Sequence, residues 1–297
     1  MSKRNWALFA ATLVSIIYGV TFTIAKDVMP KYVDAFGFIV LRVGGSVVLF
    51  WLLSIFGPKE KIAKADFPRI IAAALFGVAI NMLTFFKGLS YTSPIMGAVL
   101  MVTTPMIVLV LSAFIMKERM KNRKLIGIVL GLAGTTTLIL YGKSMVNAPN
   151  ATLGNLLVFI NAVSYGFYLI IVKKLMDKYN AFTFVKWIYT FGFLMVLPFG
   201  WSEFQAIDFG RLPTDIFWKI GFVVVFSTFL TYLLNLVSMR ELKPTTVAVF
   251  IYLQPLFATI FAVSLGKDEL NWVKLLSAVL IFIGVYLVTQ KKVPSEK

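Results

Sequence analysis

Few side chains in this sequence can carry out chemistry, and those that can lie inside long apolar stretches. The chain has no Cys and no His, which removes thiol nucleophiles, Cys/His metal sites and the commonest general base. The apolar stretch IYLQPLFATIF instead places the amide of Gln254 beside Pro255, and VTTPMIVLV places Thr104 before Pro105. These residue types offer hydrogen bonds to a bound molecule.

Composition indicates an integral membrane protein. Of the 297 residues, 59% are hydrophobic and 14% are charged, whereas soluble domains carry about 25% charged residues. The net charge of +16 is typical of cytoplasmic loops rich in Lys and Arg. No cleaved signal peptide is predicted, because the first apolar run, from about Trp6, is long enough to span and has no small-residue cleavage site.

Ten stretches are long enough for membrane-spanning helices, which need about 20 apolar residues each. They lie near residues 6–26, 35–56, 69–90, 94–116, 124–142, 152–173, 181–200, 216–239, 245–266 and 272–290. The alternation expected of strands is absent, and helices satisfy their own backbone hydrogen bonds in lipid. The sequence therefore predicts an all-α integral membrane protein.

Basic residues predict the orientation of these helices. With the N-terminus inside, 19 of the 29 Lys and Arg residues lie in predicted inner loops and tails, and 8 lie in outer loops. Since Lys and Arg are enriched on the cytoplasmic side, both termini are predicted to be cytoplasmic, in the inner (plasma) membrane.

The two halves of the sequence resemble each other. At an offset of 150 residues Pro105 aligns with Pro255, and near the start of each half an offset of 147 aligns Tyr18 with Tyr165. We therefore predict a duplicated five-helix unit. Its parts are repeat one at 1–143, a loop at 144–150, repeat two at 151–292 and a tail at 293–297.

An odd number of helices per repeat inverts the second copy in the membrane. Inverted repeats are typical of secondary transporters, whose substrate sites lie near the midplane between the repeats. Pro105 and Pro255 fall near the centres of their spans, and each frees the carbonyl group four residues earlier. The paired prolines predict a central polar site, or alternatively two structural kinks that neighbouring helices satisfy.

Several segments, in this order, resemble EamA-type transporters of the drug/metabolite transporter superfamily over roughly residues 6–290. They include YGVTFTIAK, FFKGLSYTSPIMGAVLMVTTP, MKERMKNRKLIGIVLGLAG, LKPTTVAVFIYLQP and KDELNWVKLLSAVLIFIGVYL. The resemblance implies a ten-helix alternating-access carrier with a cavity lined by helices one, three, four, six, eight and nine. Members move amino acids, other small metabolites, sugars or drugs, mostly outward in bacteria.

The second repeat departs from the first at several positions. Asp268 and Ser277 stand where the first repeat has Glu118 and Gly127, and helix seven has no Arg. These departures leave the fold prediction unchanged but argue against symmetric chemistry in the two halves.

Acidic residues are absent from the middle of the predicted spans. All thirteen lie in loops or at helix ends: Asp27, Asp34, Glu60, Asp66, Glu118, Asp177, Glu203, Asp208, Asp215, Glu241, Asp268, Glu269 and Glu296. No carboxylate is therefore predicted at mid-membrane to bind a cation or relay protons. This argues against a proton-coupled exporter of quaternary cations and favours downhill transport or exchange.

The candidate substrate-binding residues are polar or aromatic and lie on the helices that the family uses for its cavity. They are Tyr18, Phe22, Asn81, Thr104, Asn161, Tyr165, Tyr168, Tyr232, Asn235, Tyr252 and Gln254, with Pro105 and Pro255 as midplane kinks. An apolar cavity with amides and aromatic walls suits zwitterionic or aromatic amino acids. Alternatively, the polar residues are interhelical hydrogen-bonding groups.

Arg42 places a positive charge inside the second span. A charge at the centre of a helix costs at least about 2.5–3.5 kcal/mol on insertion scales, so it must face protein, a cavity or the interface. It has two interpretations, a contact for an anionic group of the substrate or a structural charge bonded to carbonyls or lipid phosphate.

Other function classes require residues that the sequence does not offer. A membrane-embedded transferase needs a catalytic acid, His, Cys or metal set at the bilayer surface, and a channel needs a ring of charges or carbonyls. We therefore predict a carrier that is not an enzyme, with no cofactor and no metal. Its partners are a small-molecule substrate and the lipid bilayer, without nucleic acid, as a monomer or homodimer; a drug or organic-cation carrier and a sugar or nucleoside carrier remain alternatives.

Overall fold

The computed structural model describes residues 2–91, 100–117, 121–140, 150–264 and 271–290. It describes the backbone but not the side chains of residues 22, 23, 26, 89, 90, 138–140, 151, 262 and 274. Helices account for most of this part of the chain, which contains no strand. The all-α prediction is confirmed.

Ten helices lie at the ten predicted spans. They are α1 Lys3–Val28, α2 Ala35–Phe56, α3 67–91, α4 Thr104–Ile115, α5 Asn122–Leu140, α6 Ala151–Met176, α7 Ala181–Gln205, α8 214–241, α9 244–264 and α10 Trp272–Thr289. Short 3₁₀ turns precede α3 and α8, at Lys64–Asp66 and Phe209–Arg211.

Six helical stretches in the described residues are each long and apolar enough to cross a membrane. They are Ala35–Phe56, Lys64–Gly88, Thr152–Met176, Ala181–Gln205, Thr214–Glu241 and Pro244–Phe261. Two shorter helices, Thr104–Ile115 and Leu275–Thr289, are also apolar. The chain is therefore a multi-pass membrane protein.

Two pairs of equivalent helices pack antiparallel, which demonstrates the inverted topology. In the first pair, Gly37 near the start of α2 faces Glu203 at the end of α7, and Gly57 just after α2 faces Phe182 at the start of α7. In the second, Gly127 of α5 and Gly284 of α10 meet so closely that a Cβ on Gly284 would lie 2.6 Å from the carbonyl oxygen of Gly127. Equivalent helices that run in opposite directions are expected only of an inverted repeat.

Glutamates cap the α2–α7 pair at both ends. Glu60 Oε2 accepts hydrogen bonds from the backbone N–H of Asn180 (2.9 Å) and from the Thr183 hydroxyl (2.7 Å) at the start of α7. Glu203 Oε2 accepts from the amides of Phe36 (2.7 Å) and Gly37 (2.9 Å) at the start of α2. A carboxylate stabilises a helix N-terminus because the first amides lack partners and carry partial positive charge.

Four helices depart from regular α-helix near the centre of the protein. α3 contains a π-helical segment at Leu75–Ala79, and α8 contains one at Val223–Leu230. α9 passes through a 3₁₀ segment at Phe250–Tyr252, and a turn at 102–103 precedes α4. Each irregularity leaves backbone carbonyls available to side chains, and π-helical segments are frequent at functional sites.

Side chains take up several of these carbonyls. In the π-helical part of α3, the Ser164 hydroxyl donates to the Phe76 carbonyl (2.6 Å) and the Tyr232 hydroxyl donates to the Gly77 carbonyl (2.8 Å). The Met101 carbonyl, freed by Pro105, accepts from the Thr104 hydroxyl (2.6 Å). Local and cross-helix hydrogen bonds therefore hold the central irregular segments in place.

Candidate functional site

A small central cavity lies where the repeats meet. Its lining residues come from α1, α6, α8 and α9 and are Ala11, Val14, Ser15, Tyr18, Tyr165, Asn235, Val247, Phe250, Ile251 and Gln254. The cavity holds about 10 Å³, which is the space of a single water molecule. Metabolite pockets are typically a few hundred Å³, so the cavity is too small for a metabolite in this conformation.

Four predicted site residues meet at this cavity: Tyr18, Tyr165, Asn235 and Gln254. Tyr18 and Tyr165 are the pair that the sequence repeat aligns. Neither the Asn235 nor the Gln254 amide forms a hydrogen bond within the described part of the chain, although Asn235 is only 6% exposed. Two amides without partners beside a cavity are available to a ligand, because a buried polar group without a partner is costly.

A side chain of α1 holds the 3₁₀ segment of α9, Phe250–Tyr252, in place. The Ser15 hydroxyl donates to the Phe250 carbonyl (2.8 Å), and both residues line the cavity. This contact holds Gln254, one turn later, on the cavity side of α9. Ser15 was missed in the sequence, since a lone Ser in an apolar helix gives no indication of the face it occupies.

Two predicted asparagines lie between α3 and α6 and outside the cavity lining. The Asn161 side chain donates through Nδ2 to the Asn81 carbonyl (2.6 Å), and the Asn161 Oδ1 atom is buried without a partner. Here the interhelical bond anticipated as the alternative is present.

The three other predicted tyrosines lie outside the cavity lining, and two of them pack against glycines. The ring of Tyr168 covers Gly77, where a Cβ would lie 2.1 Å from the ring, and the Tyr232 ring is tilted against that of Tyr168 with ring centroids 5.9 Å apart. The ring of Tyr252 covers Gly131, and its hydroxyl donates to the Ile128 carbonyl (3.1 Å).

The other predicted site residues have different surroundings. Thr104 is fully buried and bonded within its own turn. Pro105 is buried, and Pro255 is partly buried directly after Gln254. The Phe22 side chain lies outside the described residues. A role in substrate binding stays a prediction for all of these positions.

Arg42 is buried beside this centre. It is 8% exposed, its Nε donates to Thr228 Oγ1 (3.1 Å), and its guanidinium carbon lies 5.5 Å from the centroid of the Phe86 ring. The Tyr18 hydroxyl lies 3.2 Å from the Thr231 hydroxyl, one turn after Thr228 on α8. Arg42 and the cavity are therefore adjacent through α8 and Tyr18.

A larger groove of about 290 Å³ opens between α1, α9 and α10. Apolar side chains dominate its lining, including Leu253, Phe257 and the half-exposed Phe282. Its polar groups are the hydroxyls of Thr12, Tyr286 and Thr289, of which the first and the last donate to carbonyls of their own helices. Phe250 borders both this groove and the central cavity. The central cavity is the better candidate for a metabolite site.

Comparisons with known proteins find a family and relatives that are transporters. The model of the EamA-like transporter family matches residues 5–140 and again residues 152–290. The uncharacterized transporter YetK of Bacillus subtilis is 26% identical over 83% of this chain and 76% of its own length. An uncharacterized transporter of Archaeoglobus fulgidus is 25% identical over 97% of this chain and 100% of its own length.

The fold is also found among solved structures. One crystal structure superposes with a TM-score of 0.78 over 95% of both chains, at 15% sequence identity. The cavity helices α1, α6, α8 and α9 are among those that the sequence resemblance implied. Two consecutive family matches, the inverted helix pairs and this superposition agree, and the chain belongs to the EamA-like transporter family.

Proposed function

We propose that this transporter carries an amino acid or a related zwitterion across the membrane by alternating access, as an exporter or exchanger, with aromatic amino acids as the first substrates to test. The observation that carries the proposal is the central cavity. There the side-chain amides of Asn235 and Gln254, which form no hydrogen bond within the described part of the chain, lie with Tyr18 and Tyr165. Amide oxygens and tyrosine faces attract an ammonium group, and amide N–H groups donate to a carboxylate.

The charges around the cavity favour a zwitterion over a cation. Among the described residues no acidic side chain lines the cavity, whereas Arg42 on α2 supplies a positive charge beside α8. Organic cations in membrane carriers require compensation of their charge, which this lining does not provide. The same lining lacks the groups of a catalytic site, so we propose transport without enzymatic activity.

Counterflow in proteoliposomes tests this proposal. Vesicles loaded with a mixture of unlabelled amino acids receive one labelled amino acid outside, and the wild type is compared with Gln254→Ala. The matched control is Gln205→Ala, the same change at an exposed position at the end of α7. We expect accelerated uptake by the wild type and the control, and loss of uptake in Gln254→Ala.

A folded wild type without amino-acid counterflow would contradict the proposal. The same vesicles then receive sugars, nucleosides and organic cations, the alternative cargoes of the fold. Uptake that Gln254→Ala abolishes with one of those compounds keeps the central site and replaces the substrate class.

We also propose that both termini are cytoplasmic in the inner (plasma) membrane, which the distribution of basic residues supports. The absence of Cys makes single-cysteine labelling a clean test. Arg211→Cys is expected to react with a membrane-impermeant maleimide in intact cells, and Lys59→Cys only after permeabilisation. The reverse pattern would overturn the orientation.

A further inference from the structure

Arg42 carries a buried charge that the described protein does not neutralise. The ion pairs among described residues involve Asp27, Asp66, Asp177, Asp208 and Asp215, and none of them includes Arg42. A buried charge without a counter-ion is strongly unfavourable. An anion that binds here would offset part of the free-energy cost of burying the charge.

Most hydrogen-bonding capacity of this guanidinium is unused. Of five N–H groups, the one on Nε donates to Thr228. The Thr228 hydroxyl gives its own proton to the Val223 carbonyl (2.8 Å) in the π-helical segment of α8, so its oxygen accepts from Arg42. The two terminal nitrogens form no hydrogen bond within the described part of the chain. They present the fork that matches a carboxylate.

Tyr18 brings a hydroxyl to the part of α8 that Arg42 contacts. The Tyr18 hydroxyl lies 3.2 Å from the Thr231 hydroxyl, one turn after Thr228, the hydrogen-bond partner of Arg42. Tyr18 therefore adds a polar group between Arg42 and the central cavity.

The inverted repeat shows that the charge is not needed for helix packing. The N-caps Asp34 and Asn180 set an offset of 146 residues between α2 and α7. At this offset the buried positions 37–39, 42, 43, 46 and 50 of α2 match the buried positions 183–185, 188, 189, 192 and 196 of α7. Arg42 then corresponds to Ile188, which is 1% exposed. The same packing position accepts an apolar side chain in the other half.

We propose that Arg42 binds the carboxylate of the transported substrate. This inference rests on the proposed amino-acid function and specifies which end of the substrate is recognised. Tyr18 lies between Arg42 and the central cavity, because it lines the cavity and its hydroxyl reaches Thr231 on α8. The remainder of the substrate then faces Asn235 and Gln254. Tight binding requires a carboxylate, and analogues without one are carried only with a much higher KM.

The test compares acids with matched analogues that lack the carboxylate. In the counterflow assay the probes are L-phenylalanine, L-phenylalaninamide and phenethylamine, followed by the same series for any other amino acid that the wild type carries. The variants are Arg42→Gln and Arg42→Lys. The control is Lys186→Gln, which also removes a positive charge inside a span, where Lys186 lies 3.3 Å from the Ser54 hydroxyl.

We expect Arg42→Gln to raise the KM for the acid about ten- to hundredfold, the effect of losing a hydrogen-bonded charge pair. The KM of any amide that is carried stays unchanged. Arg42→Lys restores part of the affinity, since it restores the charge without the fork. Lys186→Gln leaves both KM values unchanged.

Two results would overturn the inference. One is transport of amide and acid with equal KM by the wild type. The other is a change in KM by the same factor for acid and amide in folded Arg42→Gln, which is the result expected of a purely structural arginine. Folding is checked by size-exclusion chromatography and by the melting temperature of each variant.

A further measurement distinguishes a failure of this inference from a failure of the proposed amino-acid function. If no amino acid shows counterflow, the assay is repeated with labelled succinate, pyruvate and glucose. Carboxylate transport that depends on Arg42 keeps this inference and overturns the amino-acid proposal. Transport of glucose alone, unaffected by Arg42→Gln, overturns both.

Discussion

The two repeats are alike where helices pack and different where the candidate site lies. Glu60 and Glu203 cap opposite ends of the α2–α7 pair in the same way, and Gly127 and Gly284 meet between α5 and α10. In contrast, Arg42 corresponds to Ile188. Packing positions repeat because both copies must form the same helix contacts. The candidate site does not repeat, as expected if the transported molecule has two different ends, like the amino acid proposed above.

The largest expected effect comes from the α5–α10 contact. Gly284→Ala places a Cβ within 3 Å of the backbone of Gly127 and Gly131, and such overpacking costs about 1–3 kcal/mol. Gly221→Ala is the matched control, since a Cβ there meets nothing within 4 Å. Thermal unfolding of the purified protein is expected to show a clear fall in melting temperature for Gly284→Ala and none for the control. Equal melting temperatures would mean that this contact is not essential.

The two glutamate caps are expected to contribute similarly, which tests the symmetry of the scaffold. Glu60→Ala and Glu203→Ala each remove two hydrogen bonds at a helix N-terminus, and loss of a cap costs about 0.5–2 kcal/mol. The double variant is expected to show the sum of the two effects, because the sites lie at opposite ends of the pair. Glu241→Ala, at an exposed position at the end of α8, is the control. A large effect at one end alone would contradict equivalent roles.

Arg42→Ile makes the first repeat match the second at this position. Replacement of a buried charge by an apolar side chain is often neutral or stabilising, so the melting temperature is expected to stay equal or rise. Counterflow of the acid substrate should nevertheless be lost. A fall in melting temperature comparable with that of Gly284→Ala would show that the charge is structural.

The smallest effect concerns a turn that also exists in both halves. Lys178 lies 5.2 Å from the Tyr179 ring centroid, as Lys31 lies 4.9 Å from that of Tyr32, but Lys178 also pairs with Asp66. That carboxylate raises the pKa of Lys178. A pKa raised by folding stabilises the protein below the ordinary lysine value near 10.4, and this contribution is lost as the pH rises through the folded value.

Lys178→Met is therefore expected to lower the melting temperature at pH 7 by a small amount, because the Lys178 side chain is half exposed and solvent screens such a pair. The difference from the wild type should vanish in a series of measurements toward pH 11. Lys31→Met serves as the control. A difference that persists at high pH would show that packing on Tyr179, and not the ion pair, is responsible.

Much of the fold was predictable from the sequence, whereas the site was predictable only in part. Tyr18, Tyr165, Asn235 and Gln254 meet at the cavity as expected of polar or aromatic residues on the expected helices. Tyr168, Tyr232 and Tyr252 have the same residue type and similar positions, yet the first and the last cover glycines of neighbouring helices. Spans that are apolar on every face give no periodic signal of the side that faces the centre.

The sequence by itself determined that the chain lies in a membrane, roughly where its helices lie, and that its second half repeats the first inverted. These properties depend on local composition and on backbone hydrogen bonding in lipid, which act segment by segment. Only the tertiary structure decided that Ser15 holds α9, that Arg42 has no counter-ion among the described residues, and that Ile188 occupies the matching position. Partners from helices distant in sequence depend on how the helices cross, and no single segment encodes that geometry.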